Sequence, residues 1–112
     1  MACSLPEDWE FAAFFECEPT LLDVDAPWIY NTLTFETVRG DYSIWFQISP
    51  SYSALRFKIS HGAEEIAAAD IRAFTELQFI TELACETLQV RFGDNQTIWL
   101  RLKPNVSFAV SG

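Results

Sequence analysis

From Thr32 onward, apolar and polar residues alternate with a period of two, and turn residues break the alternation at short intervals. That period places every second side chain on one face of a strand. Leu33, Phe35 and Thr37 share a face up to Arg39-Gly40-Asp41, a polar pause whose glycine suits positive φ. Ile44, Phe46 and Ile48 then alternate with Ser43, Trp45 and Gln47, so the two runs predict a hairpin. After Ser49-Pro50-Ser51, Leu55, Phe57 and Ile59 alternate with Arg56 and Lys58 as far as His61-Gly62. Further strands are expected over 74–80, 87–92, 98–102 and 106–110. Gly93-Asp94-Asn95-Gln96 forms a turn, and Pro104-Asn105 restricts the last connection to a bend or an edge. The segment 63–73 reads two ways: its alanines and glutamates favour a helix, whereas its flanks favour a hairpin partner over 65–71.

The first thirty residues differ in kind. Residues 7–15 suit one or two helical turns, with acids near the N-terminus where the helix dipole favours them, while Pro19 and Pro27 enforce extended or turning backbone around Leu21, Leu22 and Trp28. The expected fold is therefore mainly β, or β-rich α+β. It has about six to eight mostly antiparallel strands in a curved sheet, sandwich or small barrel, with a short N-terminal helix and arm. One domain is expected over 1–112, with the arm at 1–31 and a strand meander at 32–112.

Charge changes this picture most at the arm. Of a formal net charge of −9, eight carboxylates lie in residues 1–38, where there is no lysine or arginine. Trp9, Phe11, Phe14, Phe15, Trp28, Tyr30 and Phe35 share that stretch, and so many aromatics mark a folded segment, because disordered acidic tails lack them. A fixed acidic field attracts a basic partner and repels nucleic acid and anionic lipid. Glu16, Glu18, Asp23 and Asp25 are the candidate docking acids, with Trp28 or Tyr30 as the aromatic anchor.

The N-terminus lacks a basic, then apolar, secretory pattern, and no window suits a membrane span; a cytoplasmic protein is the expectation. Cys3, Cys17 and Cys85 lack disulfide-framework or zinc spacing and are expected as free thiols. His61, the lone histidine, precedes a turn glycine, where an exposed structural residue is the simpler reading than a catalytic one. Cys85 beside Glu86 is poorly placed to become a nucleophilic thiolate. The pairs Glu16/Glu18, Asp23/Asp25 and Glu64/Glu65 invite a glycosidase or metal reading, but a glycosidase also needs a sugar cleft and one buried acid, which sequence does not supply; Asp23-Val24-Asp25 lacks the glycine and distal glutamate of a calcium loop, and the single glycines form no phosphate loop. No catalytic residue, metal or cofactor is therefore assigned. Arg56/Lys58 and Arg101/Lys103 are expected to pair with acids on neighbouring strands. Trp45 and Trp99 fall opposite the apolar face of their strands, so cover from the N-terminal arm is expected over them; exposed rings would instead mark an interface.

The arm from Phe15-Glu16-Cys17-Glu18-Pro19 to Asp25-Ala26-Pro27-Trp28-Ile29-Tyr30-Asn31, followed by a meander closing in Leu100-Arg101-Leu102-Lys103-Pro104, resembles the small acidic immunity proteins that bacteria encode beside polymorphic or contact-dependent toxins. The resemblance implies a stoichiometric inhibitor whose rigid acidic face docks on a basic toxin domain and occludes its active site. Two other classes compete with it: a small-molecule or carbohydrate-binding β module, including a carboxylate-pair hydrolase, and a structural subunit that oligomerises through a sheet edge.

Overall fold

The structure is a computed structural model describing residues 5–82, 85–103 and 106–111. Its first sheet is β1 (Thr20–Leu21), β2 (Leu33–Arg39), β3 (Tyr42–Ser49), β4 (Ala54–His61) and β5 (Glu64–Ile71), in chain order and antiparallel throughout. The second is β6 (Phe74–Glu82), β7 (Cys85–Phe92), β8 (Gln96–Lys103) and β9 (Ser107–Ser111), again antiparallel and sequential. The fold is thus mainly β, with one short α-helix among the described residues, α1 (Asp8–Phe15). Among the described residues no helix is long and apolar enough to cross a membrane. Cys3 and the Pro104-Asn105 break lie outside the described residues.

Period-two alternation places buried residues of every strand but β1 and β9 in a shared core. Leu33 and Phe35, then Ile44, Phe46 and Ile48, then Leu55, Phe57 and Ile59 line the first sheet's inner face. Leu77, Leu88, Val90, Ile98, Leu100 and Leu102 line that of the second. Two-residue turns join β2 to β3 and β4 to β5. Gly40 (φ +61) and Gly62 (φ +63) each hold the first loop position, where the hairpin needs positive φ.

Segment 64–71 is strand, not helix. Ala67, Ala69 and Ile71 lie opposite Ile59, Phe57 and Leu55, so the small side chains complement large ones and burial outweighs helix propensity. The meander then splits at Ala73, which adopts φ +60 as the chain leaves one sheet for the other. The Phe74 amide donates to Ser53 O at 2.9 Å and pins the crossing. A non-glycine residue at that φ costs roughly 1 kcal/mol, and the two flanking sheets hold it there.

The helix bridges both sheets. Glu7 and Glu10 form a reciprocal capping box at its start. The Phe11 ring lies 5.2 Å from Phe79 of β6 and 6.0 Å from Phe46 of β3. Phe15 packs 4.9 Å from Phe46 and 5.2 Å from Phe35.

This corrects the expected cover over Trp45 and Trp99, because Phe14 and Phe15 turn into the core while Trp9 and Leu22 face solvent. The expected cross-strand pairing of Arg56 and Lys58 is also corrected. Asp70 lies opposite Arg56 in register but pairs with Arg72 at 3.9 Å, and both cations instead stand over the Trp45 ring, at 5.6 and 5.8 Å from its centroid. Arg91 does pair across the ladder, with Glu76 at 3.3 Å.

Candidate partner-binding surface

Glu16 ends α1 in the left-handed conformation at φ 55, where the helix leaves its last carbonyls unsatisfied. The helix has no basic residue in its last turn. Arg39, the first cation of the chain, returns from the end of β2 to supply one: its Nη2 donates to Phe15 O at 3.3 Å and pairs with Glu16 Oε1 at 3.0 Å. Nη1 reaches Thr37 Oγ1 at 3.2 Å, and Nε is buried without a hydrogen-bond partner among the described residues. Glu16 is therefore committed to joining helix and sheet.

Beyond it the chain makes an excursion with tied ends. Thr20 and Leu21 pair with Thr34 and Leu33, and the Leu22 amide donates to Thr32 O at 3.0 Å. Asn31, buried to 4 % exposure, holds the loop from inside. Its Nδ2 donates to Asp23 O (2.6 Å) and Ala26 O (3.1 Å), while its Oδ1 accepts from the amides of Asp23 (3.1 Å) and Thr32 (2.9 Å). All four hydrogen-bonding positions of the side-chain amide are filled, so a single buried residue sets the loop's shape. The Asp23 carboxylate accepts from the Asp25 amide at 3.0 Å, tightening the acidic tip.

Within this loop the two aromatic candidates separate. A short 3-10 turn over Trp28–Tyr30 sends Trp28 inward, 6.0 Å from the Phe11 ring, and leaves Tyr30 73 % exposed. Trp28 packs; Tyr30 projects. Leu22 (80 %), Val24 (79 %) and Ile29 (41 %) also project, interleaved with exposed Asp23 and Asp25, and Glu18 lies just before β1. A second 3-10 turn, Pro50–Tyr52, lies against Trp28–Tyr30 and adds Tyr52, 79 % exposed. Among the described residues, Glu18, Asp23 and Asp25 form no ion pair.

The loop, its backbone tied down by Asn31, and the Tyr52 turn thus present exposed apolar side chains rimmed by carboxylates. In protein interfaces generally, clustered apolar anchors supply affinity and rim charges supply steering, and this surface has both kinds of group. The sequence singles out the acids together with Trp28 and Tyr30, without choosing between the two rings. It does not single out Leu22, Val24 and Tyr52, because isolated apolar residues outside alternating runs carry no mark of exposure. Leu21-Leu22 between Pro19 and the acidic run is the one local hint.

The outer face of the first sheet carries a separate open depression of about 650 Å³, lined by Glu36, Val38, Ser43, Trp45, Lys58 and Ser60 among others. It holds one tryptophan and one carboxylate. On the second sheet, Trp99 donates from Nε1 to Gln89 Oε1 at 2.9 Å, which accounts for a glutamine buried on that outer face. His61 is exposed, with its ring 4.8 Å from Tyr42. Among the described residues no three His, Cys, Asp or Glu side chains group as metal ligands would.

No protein-family model matches the sequence, and no curated protein matches it significantly. The fold does have a solved counterpart. A chain of a contact-dependent growth inhibition toxin–immunity protein complex from Klebsiella pneumoniae 342 superposes with a TM-score of 0.81, at 16 % sequence identity, over 97 % of this chain and 96 % of that one. Likeness at that identity is likeness of fold, end to end.

Proposed function

We propose that this protein is an immunity protein that neutralises a cognate toxin domain by stoichiometric binding, using the 18–30 loop and the neighbouring Tyr52 turn as its docking face. The observation that carries the proposal is the loop itself: Leu22, Val24, Ile29 and Tyr30 project between Asp23 and Asp25, and buried Asn31 holds them in place. A preorganised loop binds without a large ordering cost. The fold likeness to a chain from a toxin–immunity complex supports the general role, and the net charge of −9 supports the inhibitory half of such a pair, directed at a basic toxin surface. On this reading the protein acts in the cytoplasm and needs no cofactor, and nucleic acid and membranes are not its partners.

The test is co-expression with the toxin domain encoded in the adjacent gene, scored by survival and by recovery of a one-to-one complex. Reversal of Glu18, Asp23 and Asp25 to lysine should abolish protection while leaving the folded fraction intact, and association with the original protein should slow as salt is added. Tyr30→Ala should act mainly by raising the dissociation rate. Full protection by the triple-lysine variant, with unchanged salt dependence, would move the interface elsewhere.

The rival reading, a carbohydrate-binding module, draws on the Trp45 depression, where Glu36 is the single lining carboxylate, and on a smaller one of about 370 Å³ lined by Trp99 and Glu82. Saturable sugar binding lost on Trp45→Ala would establish it, and the hydrolase version would need a second acid.

A further inference from the structure

A sheet edge offers unpaired amides and carbonyls to any passing strand, and folded proteins blunt such edges with charge, proline, bulges or brevity. Three of the four edges here are blunted. β1 has two residues and follows Pro19. β5 carries Glu64, Glu65 and Asp70 and its ladder is bulged near Ile59 and Ser60. β6 carries Glu76 and Glu82 and is bulged between Phe74 and Glu76.

β9 has none of these devices. Its sequence, Ser107-Phe108-Ala109-Val110-Ser111, contains no charge and no proline, all five residues are exposed, and among the described residues it pairs only with β8. Read in either direction, the strand has the same pattern: serine at both ends, a large apolar residue next, alanine in the middle. Phe108 and Val110 lie opposite Leu100 and Ile98 of β8, on the core-facing side, yet remain 37 % and 58 % exposed.

We propose that β9 is a self-association edge: two copies of the protein pair antiparallel through residues 107–111 about a two-fold axis at Ala109. In that register Phe108 of each copy faces the other copy's Val110 on the core-facing side, and Ser107 faces Ser111 on the outer side. Alanine 109 meets itself. The strand's near-palindrome is what makes an isologous interface self-complementary, and the two sheets become one continuous eight-stranded sheet. A second copy is the fitting occupant because molecules of net charge −9 repel one another wherever acids meet, and this edge is uncharged, with Arg101 of β8 beside Ser107. The contact is small, so the dimer is a concentration-dependent one.

The electrostatic sign separates this contact from docking on a basic partner: added salt screens the mutual repulsion and should strengthen the dimer, whereas it weakens attraction between opposite charges. Mass measured by light scattering across a dilution series should rise toward twice the chain mass at high concentration, further with added salt. Val110→Lys should return it to the single-chain mass with an unchanged urea midpoint.

Register is read by cross-linking in a variant with Cys3, Cys17 and Cys85 replaced by serine. Ala109→Cys places two thiols across the axis, where antiparallel partners have Cα atoms about 4.5–5.5 Å apart, within disulfide reach. It should form an intermolecular disulfide in air. Ser107→Cys and Ser111→Cys should do so only when mixed. Single-chain mass at every concentration, or cross-linking of Ala109→Cys no faster than of Ser107→Cys alone, would overturn the proposal. So would a dimer that dissociates on adding salt, since that points to the acidic arm docking on cations.

Discussion

Replacing Glu16 by lysine tests whether the acidic arm is one docking surface or has a member with a structural duty. The carboxylate lies 3.0 Å from Arg39 Nη2, and the two side chains are 48 % and 21 % exposed. At that separation unit charges attract by about 1.4 kcal/mol in bulk water and about 5.5 kcal/mol at an effective dielectric of about 20. Solvent reaches half of Glu16, so the lower figure is the better guide, and pairs of this exposure are worth roughly 1 kcal/mol net. Lysine loses that attraction and sets a cation beside the guanidinium, whose Nε is already buried without a hydrogen-bond partner among the described residues. Together these effects should cost about 2 kcal/mol, against less than about 0.5 kcal/mol for Glu18→Lys two residues away. The left-handed backbone at position 16 disfavours both side chains alike and drops out of the difference. Urea unfolding at low salt measures it, with a lowered midpoint and an unchanged slope expected for Glu16→Lys. Adding salt should recover part of the loss. Equal stability of the two lysine variants at low salt would show that the Glu16–Arg39 pair does no structural work.

Other consequences are equally open to measurement. Phe57, 2 % exposed, should cost about 3–5 kcal/mol on truncation to alanine, while Phe92, only partly buried, should cost less; equal losses would mean that the β7 edge of the core is better packed than its exposure indicates. Asn31→Ala should remove the four hydrogen bonds that shape the 22–31 loop, lowering stability by about 2–3 kcal/mol and speeding amide exchange at Asp23 and Thr32, and unchanged exchange there would refute the role given to Asn31. Burial pushes the Cys17 thiol up from 9.0, with a hydrogen bond from the Glu36 backbone and the charge of Arg39 opposing it. The folded protein then holds this proton more tightly than the unfolded chain, so the contribution to stability is fully present below pH 9 and is lost as pH rises through the folded value. Alkylation at pH 8 should therefore be slow at Cys17 in the folded protein and speed up on unfolding; equal rates in the two states would contradict it.

What the sequence determined by itself is what local periodicity and backbone chemistry can carry. Alternation named the inner rows of β2, β3 and β4 and placed the strands that became β7 and β8, and Gly40 and Gly62 marked two turns, because strand faces and positive φ are local properties. The acidic, aromatic arm was equally legible as a charged and folded segment.

Tertiary structure decided the rest. Segment 64–71 became strand because Ala69 meets Phe57 across the ladder, a partner twelve residues away that helix propensity does not count. Of the carboxylates grouped in the sequence, Glu16 was drawn into a helix cap by Arg39, while Glu18, Asp23 and Asp25 were left at the surface. Likewise, Trp28 turned inward to Phe11 and Tyr30 outward, although only Ile29 separates them. Charge and aromaticity are written in the chain, but whether a side chain packs, pairs or projects depends on which distant residues the fold brings beside it.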